Sequence, residues 1–108
     1  MSSQHPLFSK VALAEDIPEY RLKRGDRATV VEYYAMPENE EDGYSLEGFD
    51  VPNVTVEVAA SQIMPLQQWQ QQQAILDKLG QLSEPRLLQL EEYLDFLLQK
   101  ETATKKSA

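Results

Sequence analysis

The chain has no cysteine, which removes disulfides, thiolate nucleophiles and cysteine-ligated zinc in one step. Its single histidine, His5, precedes Pro6 in a polar start. A disordered tail over residues 1–5 is expected there, and no Ser/His/Asp constellation can be assembled. The glycines number four and are scattered, so no phosphate-cradling loop is present. No run approaches the ~20 apolar residues of a membrane span. The start Met1–His5 also lacks the basic-then-apolar layout of a secretion signal. A cytoplasmic location without membrane contact is expected.

Basic residues are scarce as well. Residues 1–66 carry twelve acids against five bases, and residues 67–108 carry six against five, for a net charge of −8 overall. Nucleic-acid binding needs clustered Lys and Arg to displace counterions, so the first segment has the wrong sign for it. An acidic surface suits solubility, a basic protein partner or mimicry of a nucleic-acid backbone.

What is present starts with β-prone segments. Arg24-Gly25-Asp26-Arg27 is a tight turn feeding Ala28–Tyr34, whose Val30, Val31, Tyr33 and Tyr34 mark a central strand without a clear inward face. Leu7–Leu13 is a first strand, broken from that turn by Asp16-Ile17-Pro18. Tyr44–Phe49 is a further strand in which Gly48 marks a bulge returning Phe49 to the core. After a turn at Asp50–Asn53, Val54–Val58 alternates with period two, valines inward and Thr55 and Glu57 outward. Ala60–Ile63 forms a helical turn before Pro65. Short strands at this spacing predict a small SH3-like β-barrel over residues 6–66 in an α+β chain. Tyr33, Tyr34, Tyr44 and Phe49 are either core or the lining of a peptide groove, and so small a barrel needs them as core.

The texture changes after Pro65. Trp69, Ile75, Leu76, Leu79 and Leu82 share a helical face, and Gly80 closes that helix. Ser83, Glu84 and Pro85 open a second helix in which Leu87, Leu90, Leu94 and Leu97 recur at 3-4-3 spacing. A helical hairpin is therefore predicted over 67–100, with a disordered polar tail over 101–108. Tyr93 and Leu98 widen the leucine seam. Leu88 and Phe96 fall off it, so a second buried face is expected.

Catalysis by paired carboxylates needs acids held at a fixed separation in a cleft. The acids here concentrate in one loop, Glu38–Asp42, without the alternating ligand spacing of a calcium loop. No enzyme activity, cofactor or metal is expected. The expected partner contacts are Glu40, Glu41 and Asp42 by charge and Leu88, Tyr93 and Phe96 by apolar contact. Self-association through Leu87, Leu90, Leu94 and Leu97 in a structural or adaptor subunit is the alternative.

Taken together, Val11-Ala12-Leu13, Glu15-Asp16-Ile17-Pro18, Leu22-Lys23-Arg24-Gly25 and Thr29-Val30-Val31-Glu32 resemble the bacterial domain-of-unknown-function family 4926. Tyr44–Glu47 and Val56–Leu66 are similar to that family's later strands. Two departures are Ala28, where the family has its second turn glycine, and Gly48, which interrupts a usually unbroken strand. The resemblance implies an SH3-like barrel without catalytic residues. It also implies an antitoxin or immunity role, because members sit beside toxin-like nucleases. Ile75–Leu79, Leu82–Pro85 and Glu92–Leu97 resemble family 2281, short helical proteins associated with toxin–antitoxin pairs. A basic toxin encoded nearby is the partner this implies.

Overall fold

A computed structural model describes residues 5–50 and 54–106. The turn expected at Val51–Asn53 and tail residues 1–4 lie outside the described residues. The chain divides into two compact units, residues 1–72 and 73–108.

The first unit is an antiparallel sheet of β1 (Lys10–Leu13), β2 (Arg27–Tyr34), β3 (Gly43–Glu47), β4 (Val56–Ala59) and β5 (Ile63–Pro65). Spatial order is β4-β3-β2-β1-β5, so the first strand lies between its sequence neighbour and the last. Val11, Ala12 and Leu13 are accordingly fully buried. They pair with Ala28 and Arg27 on one side and with Ile63–Pro65 on the other. With the two helices that follow, the fold is α+β as expected. The ladder ends at β4 and β5, and barrel closure is not among the observed pairings.

β2 explains why its sequence shows no clean alternation. Val30 pairs with Leu46 and Glu32 with Ser45, so Val31 is an extra residue at a β-bulge. Ala28 and Val30 face inward before it, and Tyr33 rather than Glu32 packs against the core after it. The bulge expected at Gly48 is therefore at Val31. Gly48 instead takes a left-handed turn (φ +95°) after β3, and Phe49 does return to the core. β4 shows the alternation predicted for it: Val56 and Val58 are buried, Glu57 exposed.

Loops close through local bonds. Pro18 starts a 3-10 turn (Pro18–Tyr20), and a second one, Ala60–Gln62, occupies the predicted helical turn. In the latter the Ala59 N–H donates to Gln62 Oε1 (2.8 Å). Leu7 and Phe8 are in a turn before β1 rather than in the strand, with Phe8 at φ +66° and exposed. His5, expected in a frayed tail, is buried edge-on against the Tyr44 ring at 5.1 Å between centroids. Tyr44 supplies an apolar face large enough to cover the imidazole, which composition alone does not reveal. The core holds Val11, Leu13, Ile17, Leu22, Val30, Tyr44, Leu46, Phe49, Val56, Val58 and Ile63. Each large side chain removed from water there contributes about 1.5–3 kcal/mol.

α1 (Leu66–Leu79) starts in the first unit and ends in the second, and α2 (Glu84–Lys106) belongs to the second. α2 runs on through Lys106, beyond the Lys100 expected, and Thr102 Oγ1 donates to the Leu98 carbonyl on the way (3.1 Å). From Leu66 to Ala103 no residue is buried. The two helices follow one another as expected, but the apolar faces predicted to pack as a hairpin do not cover one another: Ile75, Leu76, Leu82, Leu87 and Leu94 all remain exposed. Leu88 and Phe96, expected on a second buried face, are exposed among the described residues, at 64% and 53%.

Candidate functional site

Two surfaces carry the residues singled out by the sequence. On the sheet unit, the loop between β2 and β3 holds the acidic run, and its carboxylates are put to structural use. Asp42 accepts from the Tyr33 hydroxyl (2.7 Å) and from the Met36 N–H (3.0 Å), one bond to each oxygen. Glu41 takes the Ser61 N–H (2.8 Å) on one oxygen and the Ser61 hydroxyl (2.9 Å) on the other. That clamp joins the loop to the second 3-10 turn across twenty residues of sequence. Glu40 is exposed, and its N–H closes a turn onto the Pro37 carbonyl (3.1 Å). Of the three acids expected to meet a partner, two are engaged within the fold.

These bonds set the electrostatics. The Met36 N–H, and after it the Tyr33 hydroxyl, hold the Asp42 carboxyl below its ordinary value, because both donate to the ionised form. The same bond to Asp42, with desolvation added, holds the Tyr33 phenol above its ordinary value. Burial pushes the His5 imidazole down. Beside the loop lies an open depression of about 590 Å³, lined by Tyr33, Met36, Pro37, Glu38, Tyr44 and Ser61 among others. The Ser61 hydroxyl and Glu41, like Tyr33 and Asp42, border it as the bonded pairs that tie the loop down. Among the described residues no group of three or more His, Cys, Asp or Glu side chains is placed to hold a metal ion.

The tyrosines and Phe49 act mainly as core. Tyr44 and Phe49 are buried, Tyr33 packs against them with its ring 5.4 Å from that of Tyr44, and the Tyr34 hydroxyl bonds the buried Ser45 Oγ (2.8 Å). A contact that sequence reasoning missed pairs the Arg24-Gly25 turn with Trp69 at the start of α1. The Arg24 guanidinium lies 4.8 Å from the Trp69 ring centroid, and Gly25 (φ +93°) is so close to the ring that a Cβ there would lie 2.6 Å from Cζ2. Asp26 is used in the same turn, accepting from the Lys23 N–H (2.9 Å). The three residues of that Arg-Gly-Asp triplet thus each have a structural task.

On the helical unit, α2 presents an apolar surface wider than one stripe. At 100° per residue, Leu87, Leu90, Tyr93, Leu94, Leu97 and Leu98 occupy one side, with Leu88 and Phe96 on the far side. The Tyr93 and Phe96 rings are stacked at 6.3 Å between centroids, and Lys100 Nζ lies 5.8 Å from the Phe96 ring. The structure therefore brings Tyr93 and Phe96 together, with Leu88 two turns from Phe96. Neither helix is long and apolar enough to cross a membrane.

Fold and surface together define a small α+β protein: a five-stranded antiparallel sheet followed by two helices with open apolar faces. A family model, Domain of unknown function (DUF4926), matches residues 7–65, more than half of the chain, and the protein belongs to that family. The match covers β1 through β5 and stops as α1 begins. Comparison with curated proteins found no match, and neither did comparison with solved structures.

Proposed function

We propose that this protein is a non-enzymatic protein-binding module, acting as an antitoxin or immunity-type partner that neutralises a basic toxin. One observation carries this reading: the large apolar side chains Leu88, Tyr93 and Phe96 stand at 64%, 57% and 53% exposure on one helix. Exposed aromatic and leucine groups presented along a helix are the anchors by which helices seat in apolar grooves. The acidic sheet unit, with its excess of seven acids over residues 1–66, adds long-range attraction for a basic partner and raises the on-rate. Glu38 and Glu40 are exposed acids of the loop, available to add to this attraction. The sequence resemblance to families found beside toxin-like nucleases supports the antitoxin form of the reading.

Co-expression with the product of the adjacent gene tests it. The expected result is a stable complex, rescue of growth from that product's toxicity, and loss of both in Leu88→Asp/Phe96→Asp. Normal growth arrest in the presence of this protein, with no complex, would refute the reading.

A further inference from the structure

The seam of α2 is a different surface from the Leu88–Phe96 side, and its flanking residues specify an occupant. With Leu87 and Leu94 at heptad positions a, and Leu90 and Leu97 at d, position e holds Glu91 and Leu98, and position g holds Arg86 and Tyr93. Leu87, Leu94 and Leu97 are exposed at 39%, 46% and 36%, and Leu90 between them is half-buried, so most of the seam faces solvent. In a parallel pair, each g residue meets the e residue five positions on in the other helix. That register sets Arg86 against Glu91 and Tyr93 against Leu98, a charge pair followed by an apolar pair, each made twice by symmetry. In an antiparallel pair g meets g and e meets e. With Leu87 set against Leu97, Arg86 would then approach Lys100 and Glu91 would approach its own copy, like charges in both pairs.

We propose that α2 pairs in parallel with α2 of a second copy of this chain, through Leu87, Leu90, Leu94 and Leu97 flanked by Arg86–Glu91 and Tyr93–Leu98 contacts. Glu101 occupies the next a position and would meet its own copy, which ends the zipper after Leu98. Two heptads make a short contact, so association is reversible and depends on concentration. Leu88 and Phe96, at b and c, stay outside the pairing. Tyr93 borders both surfaces. The dimer and the toxin-binding reading can therefore fail separately.

Sedimentation equilibrium of the full chain over a wide concentration range tests the proposal. A monomer–dimer equilibrium is expected, lost in Leu90→Asp and kept in Leu88→Asp, with the far-UV spectrum and Trp69 fluorescence unchanged in both variants. Arg86→Glu should weaken the dimer several-fold at low salt, and Arg86→Glu/Glu91→Arg should restore it. Since the natural chain has no cysteine, Leu87→Cys gives a clean test of direction. Parallel helices bring the two thiols together at an a position, and oxidation should yield a covalent dimer. A monomer up to ~1 mM would overturn the proposal, since that bounds the affinity at the weakest end. A dimer unaffected by Leu90→Asp, or one in which Leu87→Cys does not cross-link, would overturn it equally.

Discussion

Gly25→Ala isolates the contact on which the Arg24-Gly25 turn and the first helix rest. A Cβ at Gly25 would lie 2.6 Å from Trp69 Cζ2, and the backbone there has φ +93°. A non-glycine residue in such a conformation costs about 1–3 kcal/mol. The ring must also retreat by about 0.8 Å to reach ordinary contact at 3.4 Å, which disturbs the Arg24 stacking. A cation–π contact at an exposed site is worth about 0.5–1 kcal/mol. The sum is about 1.5–4 kcal/mol, a large part of the 5–15 kcal/mol typical of a whole domain. With a urea slope of about 2 kcal/mol/M, the midpoint should fall by about 1–2 M. Trp69 is the only tryptophan, so its emission follows the displacement in the folded state while far-UV dichroism follows unfolding. Gly48→Ala is the internal control. It has nearly the same φ, +95°, but its nearest neighbour would be Thr29 Oγ1 at 3.7 Å, so it carries the backbone cost alone. The Trp69→Ala background should reduce the Gly25→Ala penalty to the size of the Gly48→Ala one. Equal midpoints for Gly25→Ala and the natural chain, or an identical penalty with and without Trp69, would refute the reasoning.

Three further outcomes follow from contacts already described. His5 is the single histidine, so its proton-NMR titration is unambiguous, and burial should place its midpoint below the ordinary 6.5. Because that folded value is depressed, the contribution of neutral His5 is complete above 6.5 and is lost as pH falls through the folded midpoint. A midpoint at or above 6.5 would contradict its packing on Tyr44. Asp42 likewise has a depressed value, so its bonds to Tyr33 and Met36 stabilise the fold above the ordinary 3.8 and fail as pH drops through the folded value. Asp42→Asn should abolish that acid limb and let the Tyr33 phenol ionise closer to its ordinary 10.0, seen as an earlier phenolate rise in ultraviolet titration. An unchanged titration would show that the loop bond is not formed in solution. Leu46→Ala empties a fully buried site and should cost about 2–5 kcal/mol. Leu88→Ala, at an exposed site, should stay within about 0.5 kcal/mol, as measured by urea unfolding.

Much of the sheet could be read from the residues because its signals are local. Val56-Glu57-Val58 alternates as written, Pro18 starts a turn where its fixed φ demands one, and Gly25 bends the chain where a positive φ is needed. β2 resisted because an extra residue at Val31 shifts the period midway, which a fixed two-residue template cannot register. The contacts of His5, Glu41 and Trp69 are not legible in the sequence, for a shared reason. Their partners Tyr44, Ser61 and Gly25 are distant in sequence, and nothing in their immediate neighbours reveals them. The helices showed the opposite gap. Leucine spacing along α2 reveals a stripe, but periodicity carries no information on what covers it, and Leu87, Leu94 and Leu97 are exposed.

The place of β1 has a consequence for synthesis. Its second neighbour, β5, ends at Pro65, some fifty residues after β1 is made. Until those residues emerge, Val11, Ala12 and Leu13 form the margin of an unfinished sheet, with backbone N–H and C=O groups and apolar side chains open to any passing strand. A fragment stopped before Ile63 would carry that sticky margin permanently. Proteolysis or premature termination in that region should yield aggregates in place of a smaller soluble sheet.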